Sequence, residues 1–245
     1  MELPYASVID LPISDQYYTT VYIKSVDLST GETLYYYSRM ITTYNPANDV
    51  STFVDGNMIY QIYGEQLGSP YAVLTEYTGN EELVAVPAMV GTAKVTKIGE
   101  SAFAGNTTVK WVQLNENCIE VGAHAFEGCS ALESISMPWV QEIGDYAFCD
   151  CSALKETWMM DLVSVGEGAF NGCTSLYVSL PDTVEYIGSD AFGGIKNTRL
   201  YIPSQAEVAE NAFTFDGELY AASDAKIRLN ETLSISIEVY DSLRI

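Results

Sequence analysis

"EIGDYAFCDCSAL", Glu142 to Leu154, decides how this chain is read. It holds the closest cysteine pair in the sequence, Cys149 and Cys151, with Asp150 between them. It also contains one of six near-copies of a hexapeptide. Ile98-Gly99-Glu100-Ser101-Ala102-Phe103 and Val121-Gly122-Ala123-His124-Ala125-Phe126 precede Ile143-Gly144-Asp145-Tyr146-Ala147-Phe148. Val165-Gly166-Glu167-Gly168-Ala169-Phe170 and Ile187-Gly188-Ser189-Asp190-Ala191-Phe192 follow, then a worn copy, Val208-Ala209-Glu210-Asn211-Ala212-Phe213. The phenylalanines step by 23, 22, 22, 22 and 21 residues. A fixed period of that length marks a solenoid.

Each copy continues in a regular way. Three share a Cys and then a Leu: Cys129 and Leu132, Cys151 and Leu154, Cys173 and Leu176. A short alternating run with a closing Pro comes next, as in Ile135-x-Met137-Pro138, Val178-x-Leu180-Pro181 and Leu200-x-Ile202-Pro203. Alternation argues a half-buried strand, and Pro ends it because it lacks the N–H a ladder needs. The Ile-Gly-x-x-Ala-Phe half reads as a bridge-like strand followed by one tight helical turn. Glu100, Asp145, Glu167 and Glu210 then sit where a helix N-terminus favours negative charge. One such coil cannot close a core alone. Stacked coils can, with each Phe and each Leu lying on its copy in the next.

Cys129, Cys151 and Cys173 occupy one repeat position and are expected to stack as small buried hydrophobes. Side chains running parallel, one strand-step apart, have poor geometry for a disulfide. Cys149 stands where other coils have Ala104, Glu127 and Asn171, which points to an exposed thiol. A zinc site needs a fourth ligand. The only histidine, His124, is one coil away at a different repeat position, and Cys-x-Cys is off the usual Cys-x₂-Cys spacing.

The pattern Ile-Gly-x-x-Ala-Phe-x-Gly-Cys-x-x-Leu-x-x-Ile-x-Ile-Pro resembles the BspA-type leucine-rich repeat of bacterial surface and secreted proteins, over about residues 75 to 213. Tyr77-Thr78-Gly79-Asn80 and Leu83-Val84-Ala85-Val86-Pro87 look like the entry to such an array. The resemblance implies a curved, non-enzymatic binding surface, often adhesive, at the cell surface or outside the cell. It transfers no binding residues. Asn106 in place of Cys, Thr198 in place of Leu and Ala209 in place of Gly depart from the pattern, in the first coil and the last two.

The fold expected is therefore a β-rich solenoid, a leucine-rich repeat array of about six coils of 21–23 residues. Three regions are read: a Tyr-rich β unit or cap over 1–75, the solenoid over 76–213, and a β tail over 214–245 that closes the array or begins a further domain. The first holds 11 of the 18 tyrosines. Its runs Thr19 to Val26 and Thr33 to Arg39 are β-rich, with a turn signal at 29–32 between them and a loop marked by Pro46, Asn48 and Asp49. In the tail, Leu233, Ile235, Ile237 and Val239 alternate with polar residues or Tyr.

With 33 acidic against 11 basic residues, the formal charge is -22. Nucleic acid and anionic membrane surfaces call for Lys/Arg clusters, so neither is expected as a partner. No apolar stretch approaches a membrane span. The start, Met1-Glu2-Leu3-Pro4-Tyr5, has no basic or apolar leader region, so no signal peptide is visible there.

No phosphate loop, metalloprotease or nucleophile-elbow motif occurs, and the chain is read as non-enzymatic, with no cofactor, no metal ligand and no catalytic residue assigned. His124 shares its slot with Ser101, Tyr146, Gly168 and Asp190, so it reads as solvent-facing. The outward positions of the short strands form two columns: Gln113, Ser136, Trp158, Ser179, Tyr201, and beside it Trp111, Ser134, Glu156, Tyr177, Arg199. Trp111, Trp158, Tyr177, Arg199 and Tyr201 are the candidate ligand-binding residues. Two functions stay open. One is an interaction or adhesion module for a host or neighbouring-cell protein, with a glycan as the other partner class that uses aromatics. The other is a structural spacer within a longer surface protein.

Overall fold

A chain that turns back every 22 residues can satisfy its backbone only on the next turn, and the structure shows how. The computed structural model describes residues 11–13, 16–26, 33–45, 50–65, 68–195, 199–203, 205–209, 211–213, 218–222, 226–227 and 237–240. Side chains are described for 50–65, 68–195, 202–203, 205–209 and 211–213. The turn expected at 29–32, the loop at 46–49, Thr198, Leu233 and Ile235 lie outside the described residues.

Two parallel ladders join the coils. One joins Leu83–Ala85, Trp111–Gln113, Ser134–Ser136 and Glu156–Trp158. The other joins Ala93–Ile98 to Glu120–Val121, Glu142–Ile143, Ser164–Val165, Tyr186–Ile187, Glu207–Val208 and Lys226–Ile227. Its N-terminal edge is covered. The strand Tyr71–Tyr77 pairs with Ala93–Ile98 in parallel, and an antiparallel meander of Gln16–Val26, Thr33–Asn45, Val50–Asp55, Met58–Tyr63 and Tyr71–Tyr77 extends the same sheet. At the other end Glu218–Ala222 pairs in parallel with Arg199–Ile202 and Ile237–Tyr240, so the coiling continues past Phe213.

The helical turn expected after Ile-Gly does not form. The fourth residue of each hexapeptide, Ser101, His124, Tyr146, Gly168, Asp190 or Asn211, has φ between 51° and 63°. That left-handed residue reverses the chain and aims the next backbone groups at the neighbouring coil. Phe103 N–H donates to Ala125 O at 2.7 Å, Phe126 N–H to Ala147 O at 2.7 Å, and Phe148 N–H to Ala169 O at 2.7 Å. A helix would use these groups internally and leave the coils unjoined. The hydrogen bonds offset the cost of left-handed geometry at non-glycine residues, about 1–2 kcal/mol each. Glu100, Asp145 and Glu167 therefore serve no helix terminus. Asp145 Oδ1 instead accepts the Glu167 N–H of the next coil at 2.8 Å.

The glycine before this turn answers to the closeness of the coils. A Cβ on Gly144 would lie 2.6 Å from Ala123 N, and one on Gly188 2.6 Å from Glu167 N. With the backbones that near, the aromatic rings stack. Tyr77, Phe103, Phe126, Phe148, Phe170, Phe192 and Phe213 form one column with centroids 4.6 to 5.6 Å apart. All six phenylalanines are buried, and Tyr77 ends the column at the meander.

Cys129, Cys151 and Cys173 are buried and unpaired. Each thiol donates to the carbonyl of the Phe in the preceding coil, Phe103, Phe126 and Phe148 in turn, at 3.1 Å. In the first coil Asn106 takes this place. Its amide donates to Gly79 O at 3.0 Å, and its Oδ1 accepts from Thr108 and Val109 N–H groups at 3.0 and 2.9 Å. The departure from Cys thus ties the first coil to the entry segment. Cys118 is buried in the slot that Val140, Leu162 and Val184 fill elsewhere, and burial pushes its thiol up to about 12. Cys149 is half-buried rather than exposed, and burial raises its pKa too. Among the described residues no group of three His, Cys, Asp or Glu side chains is arranged to hold a metal ion.

Three outcomes follow from this packing. Phe148 has a ring 5.1 Å away on either side, so Phe148→Ala should lower stability by about 3–5 kcal/mol, with a smaller loss for Phe213→Ala in an end coil; denaturant melts measure both. Thr157 stands where Val84, Val112, Ile135 and Val178 stand in other coils, and its Oγ1 is buried without a hydrogen-bond partner. Thr157→Val should stabilise by about 1–2 kcal/mol by removing that group, seen as a higher denaturation midpoint. Thiol titration of the native, unreduced protein should register Cys149 first, and all five cysteines only after unfolding.

Candidate interaction face

The first ladder positions the candidate residues. Its strands are three residues long, so each offers two outward side chains and one inward. Register puts Leu83, Trp111, Ser134 and Glu156 in one column and Ala85, Gln113, Ser136 and Trp158 in the next. Tyr177 joins the first column through a single bridge to Glu156. The structure thus brings Trp111, Trp158 and Tyr177 onto one face, at 42%, 62% and 69% exposure. Such exposure argues against a packing seam with the meander at those three rings.

Arg199 and Tyr201 are placed differently. They lie in the strand Arg199–Ile202, which belongs to a separate sheet with Glu218–Ala222 and Ile237–Tyr240. The hydrogen-bonded columns end at Tyr177 among the described residues, and the side chains of Arg199 and Tyr201 lie outside them.

A row of paired charges borders the aromatic column. Lys110 Nζ meets Glu82 Oε1 at 2.6 Å, and Lys155 Nζ meets Glu133 Oε2 at 2.7 Å. The Lys155 contact holds the Glu133 carboxyl below its usual range. Lys110 Nζ also lies 5.9 Å from the Trp111 ring centroid. These ion pairs are exposed and add little stability. Their effect is local: each pair cancels charge beside the aromatics of a chain of net charge -22, while Glu156 in the same column has no ion pair among the described residues.

Three further exposed apolar side chains were not singled out from the sequence: Leu83 at 65%, Met160 at 65% and Trp139 at 48%. Leu83 extends the Trp111 column by one coil. Met160 stands in the slot of Pro138 and Pro181, and its N–H donates to Pro138 O at 3.2 Å, beside Trp139. The available signal was that a large apolar residue replaces the strand-ending proline in one coil.

His124 belongs to another strip. Its Nδ1 lies 2.8 Å from Glu127 Oε2, and its ring stacks on Tyr146 with centroids 5.4 Å apart. Tyr146 O–H donates to Glu167 Oε1 at 2.5 Å, and that bond, with lesser contributions from burial and nearby carboxylates, pushes the phenol up to about 12. The side chain is partly exposed, as its repeat slot implies. No helix among the described residues is long and apolar enough to cross a membrane.

The family model of the BspA type leucine rich repeat region matches residues 87–194 and 141–223, in six copies. A leucine-rich cell surface protein of Faecalibacterium prausnitzii has a similar structure, at 26% identity and a TM-score of 0.61. The match covers 76% of this chain and 54% of that one, so this chain aligns with about half of its length. The T. pallidum leucine-rich repeat protein, at 22% identity and a TM-score of 0.55, is matched over 82% of this chain and 100% of its own, and shares the fold. No curated protein matches the sequence. The repeats, the stacked ladders and the six matched copies together show that the chain belongs to the BspA-type leucine-rich repeat family.

Proposed function

We propose that this chain is a non-enzymatic, extracellular or cell-surface interaction module that holds a macromolecule on the face of its first ladder. The observation that carries this reading is the set of exposed aromatics, Trp111, Trp158 and Tyr177, in hydrogen-bonded register on one ladder face. A repeat array makes an extended surface of this kind without a pocket. Exposed aromatics gathered in a patch mark interaction sites, and the pairing of both lysines beside them lowers the cost of desolvating the strip. The similar F. prausnitzii protein is described as a cell surface protein, which supports the location. The partner proposed is a protein of a host or neighbouring cell, and a glycan is the competing class.

A spacer role has one observation of its own. The meander and the second ladder form one continuous sheet, which suits a stiff element between other parts of a longer chain. The two readings separate at Trp158. Arrays of extracellular proteins and glycans identify any partner retained by the chain. Against that partner, Trp158→Ala should weaken binding by about 2 kcal/mol or more and leave the melting temperature nearly unchanged. Loss of stability without loss of affinity would make the face a packing surface, and retention of no partner would favour the spacer.

A further inference from the structure

The two ladders end differently at the N-terminal side. The second is closed by Tyr71–Tyr77 and the meander. The first ends at Leu83–Ala85, which pairs only with Trp111–Gln113 among the described residues. The hydrogen bonds show which groups are used. Glu82 O accepts from Trp111 N–H at 2.9 Å, and Val86 N–H donates to Gln113 O at 2.9 Å. Backbone groups alternate sides along a strand, so the N–H and C=O of Leu83 and Ala85 point to the opposite, unpaired edge.

That edge forms one wall of a groove of about 410 Å³, lined by Asp55, Met58, Glu81, Leu83, Ala85 and Pro87 among others. The facing wall is the hairpin turn between Val50–Asp55 and Met58–Tyr63. Its lining combines apolar side chains with two carboxylates, Asp55 and Glu81. Glu81 is fixed there by hydrogen bonds from Tyr77 O–H and from Asn57 Nδ2, and the Tyr77 bond holds its carboxyl below the usual range. The strand is only three residues long, but no proline, lysine or bulge stands within Leu83–Ala85 to block a further strand.

We propose that the Leu83–Ala85 edge is a strand-addition site for an extended, lysine- or arginine-bearing segment of a partner protein. The added strand bonds to the N–H and C=O of Leu83 and Ala85, and its basic side chains meet Asp55 and Glu81. Backbone bonds supply affinity in such additions, and side-chain contacts supply the choice of partner. Charge decides between occupants. A second copy would bring another net charge of -22 to an acidic groove, whereas a basic strand is drawn to it. The site uses the backbone edge of the ladder whose outward face bears Trp111 and Trp158, shares Leu83 with that face, and does not depend on binding there.

The test uses the full chain, labelled for amide exchange, and the probe peptide acetyl-Lys-Val-Lys-Val-Lys-amide. Expected are slowed exchange at the Leu83 and Ala85 amides, an affinity that fades with salt, and no binding of the peptide with Glu in place of Lys. Ala85→Pro removes an N–H that the ladder does not use and should weaken the probe by up to about tenfold. Should that variant unfold, Asp55→Lys replaces it, and should weaken the Lys probe and admit the Glu probe. No saturable binding, equal binding to both variants, or peptide-induced shifts at Trp111 and Trp158 instead of the edge would overturn the proposal. Slowed exchange at Leu83 that rises with protein concentration and needs no peptide would assign the edge to a second copy.

Discussion

Everything in this molecule follows from the distance between one coil and the next. Parallel strands must lie one ladder spacing apart, and the turns between them must keep the same spacing. Glycine at Gly144 or Gly188 is required because the neighbouring backbone already occupies the space of a Cβ. The same distance suits stacked phenylalanine rings, and it brings each Cys thiol within reach of a carbonyl one coil back. A left-handed residue in every turn directs the remaining backbone groups along the axis. The core is thus a set of columns whose members repeat one environment.

This constraint also sorts the surface. Outward positions of the three-residue strands become columns too, and nothing in the core dictates what fills them. Ion pairs between adjacent coils, Glu82 with Lys110 and Glu133 with Lys155, use the coil spacing to bring opposite charges together. Elsewhere the chain keeps its large acidic excess. An aromatic strip whose lysines are already paired can admit a partner's apolar surface, while the acidic body discourages self-association.

The sequence carried most of this arrangement because a period needs no context to be seen. The Phe column, the Cys column and the register of Trp111 with Ser134 and of Ser136 with Trp158 all follow from counting. The left-handed slot was not legible. Ser101, His124, Tyr146 and Asp190 share no side-chain chemistry, only a backbone angle, so their variety resembled the freedom of an exposed helical turn. Counting also carried the columns on to Arg199 and Tyr201. The coil at 177 contributes one bridge rather than a strand, and the ladder ends there before the count does. Trp139 and Met160 escaped because each is the single large apolar residue in a slot that other coils fill differently, and Leu83 because it lies one coil ahead of the columns that were counted.

The direction of the hydrogen bonds has a mechanical meaning. In all three strips that join the coils, the bonds lie along the solenoid axis. A pull on the two ends therefore loads one coil junction at a time, as in peeling, and never all junctions in shear. Each coil of about 22 residues would release up to about 75 Å of chain as it opens. Tethered at both ends, such a chain behaves as an extensible link that yields in steps at low force and re-forms coil by coil when the load is removed.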